Sequence, residues 1–346
     1  MQAVGLQASA PGAELERVAF QRRALRGDDV AVRISFCGVC HSDLHALRTP
    51  PEQGGTFPLV PGHEFVGEVT AVGADVRDFA VGDSVAVGNI VDSCGVCGMC
   101  RAGQENYCTE FPTLTYAGTD RQDGTVTRGG FSTDYVVRDR FVYRRPPQLD
   151  PAGVAPLMCA GVTVWEPLRR WNVGPGVRVG VVGLGGLGHL AVKFARALGA
   201  DVTVFTTSAG KRQQALELGA DHVVLSGDAE AMAGLAGSLN LIVDTASVEH
   251  DLAPYLHCVA LDGTLCSLGY LGPVTVGTLD LLVGRKSLAS AGSGGRPGTQ
   301  EMLHFCGQHG ITADVEVLPA TRVQEALDRL SRNDVRYRFA LDMSAL

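Results

Sequence analysis

Residues 177–190, V-R-V-G-V-V-G-L-G-G-L-G-H-L, decide the fold of the chain's second half. Residues 177–182 are a short apolar run of the kind a buried parallel strand requires. Gly183, Gly185 and Gly188 follow as G-x-G-x-x-G, and residues 187–198 carry helical periodicity. A strand, a glycine turn and a helix in that order make the dinucleotide-binding fingerprint. Gly183 permits the tight turn, Gly185 lets backbone approach a pyrophosphate, and Gly188 lets helix and strand pack closely. Leu184, Gly186 and Leu187 complete a turn whose free N–H groups, at a helix N-terminus, favour an anion.

Strand and helix patterns alternate outward from this stretch, with strands at 178–182, 202–206, 223–225, 241–244 and 263–268. That alternation predicts a doubly wound parallel sheet over residues 149–288. Residues 1–148 read differently, as short β-type runs (30–36, 64–72, 84–87) broken by Gly and Pro. This spacing predicts an irregular β-barrel. Residues 289–346 carry helices near 299–308 and 323–331 and a short strand at 338–343. The chain is therefore an α/β protein of about two domains, long enough for two cores.

Cys94, Cys97, Cys100 and Cys108, spaced C-x2-C-x2-C-x7-C, can surround one tetrahedral Zn²⁺. Disulfides are the competing use of such thiols. The chain opens with no apolar signal segment, which predicts a cytoplasmic and reducing setting, where disulfides are rare. A closed four-thiolate site is a scaffold, so chemistry is sought elsewhere. Cys40, His63 and Cys159 form a second, dispersed set. Two Cys and one His suit a catalytic zinc, which keeps its fourth position open. Cys37 makes a C-x-x-C with Cys40, and Cys40 is preferred as the ligand because polar, proton-handling residues follow it. Cys258, Cys266 and Cys306 read as core.

The 346 residues carry a net charge of −8 with scattered cations, which gives no footprint for nucleic acid. No apolar stretch approaches the roughly 18 residues a membrane span needs.

Two metal sets followed by this fingerprint resemble the zinc-dependent medium-chain alcohol dehydrogenases, and among them the cinnamyl alcohol dehydrogenase branch. The resemblance covers essentially the whole chain. It includes P-G-H-E-F-V-G-E-V at 61–69, V-G-D-S-V at 81–85, D-G-T-V-T-R-G-G-F-S at 123–132 and N-D-V-R-Y-R-F at 333–339. It implies a GroES-like catalytic domain at 1–148 holding both zinc sites and a Rossmann domain at 149–288. The tail, 289–346, would return to complete the first domain and leave the catalytic cleft between the two. A homodimer is implied as well.

The resemblance also assigns roles. Ser42 and His45 match a hydroxyl–imidazole proton relay, although a serine at this place equally suits a helix N-cap. Thr49-Pro50-Pro51 stands where the family often has an acidic residue at the relay's outer end. Asp43 matches the carboxylate that orients the zinc histidine, and Glu64 matches one that approaches the metal when no substrate is bound. Thr163 matches a residue near the nicotinamide, and Arg338 one that reaches the pyrophosphate.

Cofactor choice is read at the end of the second Rossmann strand, where a carboxylate would hold the ribose of NAD. Here Thr206, Thr207 and Ser208 are followed by Lys211 and Arg212, donors that suit the 2′-phosphate of NADP(H). The expected substrate is a medium-sized, largely apolar primary alcohol or aldehyde, aromatic or allylic, with aldehyde reduction as the main direction. Leu114 replaces an aromatic wall residue of lignin-forming relatives, and G-S-G-G-R-P-G at 292–298 departs from the usual family text. Reduction of iminium or conjugated C=C bonds is the alternative chemistry. A non-catalytic zinc-stabilised dinucleotide-binding protein is the alternative class.

Overall fold

The computed structural model describes residues 1–346 as two compact units, Met1–Cys159 with Gly294–Leu346, and Ala160–Ser293. These bounds fall later than the 148 and 288 suggested by sequence pattern. The helical turns Pro151–Val154 and Ala155–Met158 pack on the strands of the first unit, which keeps them there.

The first unit opens with an antiparallel hairpin, β1 (Gln2–Gln7) and β2 (Glu16–Gln21). Its main sheet uses β3 (Asp29–Val39), β4 (Phe65–Val72) and β5 (Ser84–Val87). A small ribbon, β6 (Ile90–Asp92) with β7 (Thr113–Leu114), stands apart from it. Then follow β8 (Asp134–Arg138), β9 (Val142–Arg144) and, from the C-terminal segment, β16 (Val315–Pro319) and β17 (Arg338–Asp342). The sheet runs β16-β17-β3-β4-β5-β9, with β8 also paired to β3. Two register shifts between β3 and β4, at Ala31/Val32 and Ile34/Phe36, mark bulges, which bend a strand and increase its twist. The C-terminal segment thus belongs to this sheet: Phe339 pairs with Val39 and Leu341 with Cys37. Phe65, Phe131, Phe141 and Phe339 are buried in its core.

The second unit is a six-stranded sheet of β10 (Arg178–Val182), β11 (Asp201–Thr206), β12 (His222–Leu225), β13 (Leu239–Asp244), β14 (Val259–Ser267) and β15 (Ser287–Ser290). Every pairing is parallel and the order is β12-β11-β10-β13-β14-β15. Strand order reverses beside β10, and ligands of such sheets bind at the carboxyl ends of the strands around that point. Parallel strands covered on both faces are apolar throughout, which is why four of the five residues of β10 are buried. The helix Gly188–Ala197 buries Leu190, Ala191, Phe194 and Ala195 as it packs on β10 and β11. Trp165, from the helix Ala160–Arg170, meets Phe194 edge-on at 5.4 Å. No helix is long and apolar enough to cross a membrane.

Candidate active site and cofactor turn

Cys40 directly follows β3 and caps the helix His41–Arg48. The buried Asp43 reaches back, and its Oδ2 accepts the Cys40 N–H at 2.9 Å. Its Oδ1 accepts the Gly62 N–H at 3.0 Å and faces His63 Nδ1 at 3.1 Å. An ionised carboxylate only accepts, so Nδ1 carries the proton and the Nε2 lone pair is left to bind a metal. Cys159 follows the turn Ala155–Met158 and completes the group. The ligand atoms of Cys40, His63 and Cys159 all lie within 4.8 Å of one another. Cys37 stands outside this group, with its fully buried thiol donating to the Gly38 carbonyl at 3.6 Å.

Backbone crossing explains why His63 sits where it does. Gly129 and Gly130 donate to the Val60 and Gly62 carbonyls, and Phe131 to that of Pro61, each at 2.7–2.9 Å. R-G-G-F-S is thereby laid across V-P-G-H. Gly62 has φ +92°, and a Cβ there would stand 2.6 Å from the Phe131 nitrogen. Arg22 clamps the outer side of this crossing, donating to the Gly129 and Asp134 carbonyls at 2.8 and 2.9 Å.

The donor set fits zinc. A hydrogen bond from Cys159 holds the Cys40 thiol well below its ordinary range, and the same bond, with burial, pushes Cys159 well above. Two such sulfurs cannot both ionise alone, and a dication removes that conflict. Beside them Glu64 is fully buried, and burial pushes its carboxyl up to about 8 against the pull of Arg338. Arg338 pairs with Glu64 Oε1. Its charge is opposed by burial but raised on balance by Glu64, Cys40 and Cys159. Glu64 Oε2 and Arg338 Nε have no hydrogen-bond partner. A Cβ at Gly38 would overlap the Glu64 carboxylate, so the glycine of C-G-V-C makes room for this pair.

Ser42 is the second residue of its helix, so the cap falls to Cys40 and not to the serine. Its hydroxyl lies 3.6 Å from Cys40 Sγ. His45 is exposed one turn further on.

The second cysteine group has closed geometry. The ligand atoms of Cys94, Cys97, Cys100 and Cys108 lie within 4.8 Å of one another. Cys94 and Cys100 sulfurs are 3.9 Å apart. A tetrahedron with Zn–S of about 2.3 Å has edges of about 3.8 Å. Backbone N–H groups point at the sulfurs: Cys97 to Cys94 at 3.3 Å, Cys100 to Cys97 at 3.4 Å and Cys94 to Cys108 at 3.5 Å. Such donors favour thiolates, and those around Cys97, from Cys100 first, pull it down to about 5. Residues 294–298 of that departing stretch seat on this lobe. A Cβ at Gly295 would overlap the Gly103 carbonyl, and Arg296 N donates to Glu105 Oε2 at 2.9 Å.

In the second unit each fingerprint glycine has a visible reason. Gly183 has φ +86°, a Cβ at Gly185 would meet only open space, and one at Gly188 would overlap the Gly183 carbonyl. Two residues that sequence reading missed brace this turn. The Thr245 hydroxyl donates to the Val182 carbonyl at 2.8 Å, and buried His189 Nδ1 bonds the Gly185 carbonyl at 3.0 Å. His189 was signalled only by following G-x-G-x-x-G, and Thr245 only by ending the apolar run of β13. At the end of β11, Thr206 Oγ1 accepts the Ser208 N–H at 3.2 Å. Thr207, Ser208, Lys211 and Arg212 are all exposed, and Lys211 Nζ donates to the Leu184 carbonyl at 3.0 Å. The only acidic residue of β11 is Asp201, at its start. Thr163 lies in the helix Ala160–Arg170 and its hydroxyl accepts the Ser293 N–H at 3.1 Å.

Comparison with known proteins agrees with this architecture. Residues 26–147 match the alcohol dehydrogenase GroES-like domain and residues 186–308 the zinc-binding dehydrogenase domain. The chain therefore belongs to the zinc-dependent alcohol dehydrogenases. Within that family it falls in the cinnamyl alcohol dehydrogenase branch. It is 46% identical to the aldehyde reductase YahK of Escherichia coli, over 96% of this chain and 95% of that one. A cinnamyl alcohol dehydrogenase of Sorghum bicolor superposes with TM-score 0.95 at 43% identity, covering 99% of this chain and 98% of the other. The cinnamyl alcohol dehydrogenase of Helicobacter pylori, solved with NADP(H), gives TM-score 0.91 at 33% identity over 99% of each chain.

Proposed function

We propose that the protein is a zinc- and NADP(H)-dependent alcohol dehydrogenase whose main work is to reduce medium-sized, largely apolar aldehydes, aromatic or allylic, to primary alcohols. One observation carries the reading: Cys40, His63 and Cys159 converge as an open set of three ligands, with His63 locked in the metal-binding tautomer by Asp43. When bound, the metal supplies Lewis-acid polarisation of the substrate oxygen and the nicotinamide supplies hydride. The chain's own residues do the rest. Ser42, beside Cys40, both donates and accepts, so it can hand a proton inward while exposed His45 exchanges with water. Asp43 keeps His63 aimed. The Glu64–Arg338 pair places a buried carboxyl group, which burial holds up to about 8, and a buried guanidinium beside the ligands.

Preference for NADP(H) is supported by the hydroxyls at 206–208 and by Arg212, with no carboxylate at the end of β11. Lys211, held on the glycine turn, would link that turn to the phosphate pocket. Reading Thr163 as a nicotinamide neighbour and Arg338 as a pyrophosphate contact rests on family resemblance. A homodimer is supported by Leu279, Leu282 and Val283, neighbours on one short helix and its cap and all at least 63% exposed, since clustered exposed apolar side chains usually meet a partner. Ten unpaired cysteines, seven of them grouped for metal, fit a reducing cytoplasm.

Absorbance of NADPH and of NADH, followed with a panel of aldehydes, enals and iminium substrates, tests the proposal. Aldehydes with NADPH should dominate. Turnover confined to iminium or C=C substrates, or none at all with zinc loaded, would refute it.

A further inference from the structure

We infer that Arg22 is a positioning residue of the Cys40–His63–Cys159 site, whose guanidinium pins the turn at 128–130 and through it holds His63 where it can bind the metal. The inference rests on the reading of those three residues as zinc ligands. His63 is placed by the backbone before it, because the Val60, Pro61 and Gly62 carbonyls each accept an N–H of residues 129–131. The donating loop comes so close only as glycine. A Cβ at Gly129 would overlap the Pro61 carbonyl, and one at Gly130 would stand 2.5 Å from Phe65 Cδ1. Glycine is also the residue with the most backbone freedom, so two in a row need support from outside.

Arg22 is that support. It directly follows β2, and its own N–H donates to the Met1 carbonyl at 2.8 Å, which ties it to the β1–β2 hairpin. Its planar fork reaches four acceptors of one loop. Nη1 donates to the Arg128 carbonyl, Nη2 to the Gly129 carbonyl at 2.8 Å and to Ser132 Oγ at 2.6 Å, and Nε to the Asp134 carbonyl at 2.9 Å. Ser132 passes the hold on, since its hydroxyl donates to the Gly129 carbonyl at 2.9 Å. The Phe20 and Tyr135 rings fix the guanidinium, with its carbon 4.9 and 4.4 Å from their centroids. All four acceptors are neutral oxygens, and bonds from an ionised donor are roughly twice as strong as neutral ones. Residues further along the loop have a second anchor: Leu6 N donates to the Phe131 carbonyl and Thr133 N to that of Val4, both at 2.8 Å. On the hairpin side only Arg22 bonds the Arg128 and Gly129 carbonyls. Without the fork the glycine turn can draw back from residues 60–62, and His63 moves with Gly62.

The test uses zinc-loaded wild type, R22A, R22K and R23A, with zinc transfer to a chromogenic chelator followed in time. Arg23 pairs with Asp29 at 2.8 Å, so R23A loses a bond of similar kind without touching the turn. The open site and the closed cysteine site should empty in separate phases. R22A should release the open-site zinc about 10- to 100-fold faster, the usual effect of losing a group that orients a ligand. R22K, with a point charge in place of the fork, should fall between R22A and wild type. The closed-site phase and NADPH binding should stay as in wild type throughout, and R23A should keep wild-type release even where its Tm falls. A cavity of about 520 Å³ lined by Arg22, Phe57, Thr127 and Tyr135 lies beside the guanidinium, so R22A leaves a space open to a free guanidinium ion. That ion, well below denaturing concentration, should slow the release from R22A where methylammonium does not. Cobalt in the open site should show shifted visible bands in R22A and R22K. Wild-type release and cobalt bands in R22A would overturn the inference; should R22A not fold, the same result in R22K would do so. Loss of both zincs together, or equal acceleration in R23A, would overturn it too, because general loosening would then be the cause. A wild type with one zinc per chain, or an H63A variant that keeps both, would instead sink the ligand assignment itself.

Discussion

Gly62→Ala, compared with Gly82→Ala, isolates the contact that places His63. Both glycines are left-handed, with φ of +92° and +93°. An L-residue in that region costs about 1–2 kcal/mol. At Gly82 a Cβ would find nothing within 4 Å, so strain is the whole effect. At Gly62 it would stand 2.5 Å from Phe131 Cδ1, 2.6 Å from the Phe131 nitrogen and 3.0 Å from Cys37 Sγ. The nitrogen is backbone and itself bonded to the Pro61 carbonyl, so it cannot swing aside as a side chain would. Overpacking of this kind adds about 1–3 kcal/mol. G62A should therefore lose about 2–5 kcal/mol where G82A loses 1–2. The strand crossing can relax only by moving Gly62, and His63 moves with it. A misplacement near 1 Å costs on the order of 10²-fold in rate. Urea midpoints measure the first effect, and kcat for aldehyde reduction with zinc content measures the second. Equal midpoints for the two variants, or normal turnover in G62A, would refute the claim that this crossing positions the ligand.

The two metal sites should separate by mutation. Cys100→Ser should damage folding, since a closed zinc site contributes folding energy, while Cys159→Ser should stay soluble and bind NADPH but turn over poorly; a stable Cys100→Ser protein would contradict the assignment. Ser42→Ala should lower turnover in both directions by about 10²–10⁴ with NADPH binding spared, and an unchanged pH–rate profile would end its relay role. Thr206→Asp keeps an acceptor for the Ser208 N–H, so the turn should survive while NADPH weakens by about 1.5–3 kcal/mol, roughly one to two decades, and NADH gains; an unaltered cofactor ratio would exclude this loop from phosphate recognition. Asp244 is buried at the end of β13, and burial raises its carboxyl despite nearby His250. Above the unfolded value of about 3.9 the folded state holds this proton more tightly, so stability falls as pH rises towards the raised folded value. Asp244→Asn should escape that loss, and the wild type should fall progressively behind it as pH rises above the unfolded value of about 3.9 in urea titrations; a gap independent of pH would show no such penalty.

What the sequence disclosed is what local chemistry dictates. Each glycine of 183–188 answers to a turn, an approach or a packing contact within a few residues, so the motif is readable in one line of text. The four cysteines at 94–108 are legible for the same reason, because C-x-x-C already brings two sulfurs to one point. Cys40, His63 and Cys159 are harder. Nothing local joins them, and they stood out through their chemistry and through resemblance. Glu64 and Arg338 each stand out by resemblance, but their pairing spans 274 residues and has no signal in the sequence, since β17 reaches β3 only through the sheet. The same holds for Arg22 on the 129–134 loop. Patterns of period 2 or 3.6 report which face of an element is buried, and carry no record of which distant loop will cover it.

Lys211 has a second contact that composition does not show. A cation three residues after Ser208 reads as a phosphate ligand, and its charge is indeed near that loop. The structure spends one of its three N–H donors on the Leu184 carbonyl inside the glycine turn. An ammonium held there is less free to follow a 2′-phosphate, but it ties the loop after β11 to the turn after β10. Its removal should accordingly loosen both halves of the dinucleotide site. Lys211→Ala should weaken NADH as well as NADPH, where a pure phosphate ligand would weaken NADPH alone. Titrating both cofactors against this one variant, by quenching of protein fluorescence, separates the two roles. An unchanged NADH affinity would return Lys211 to the simpler part of phosphate ligand.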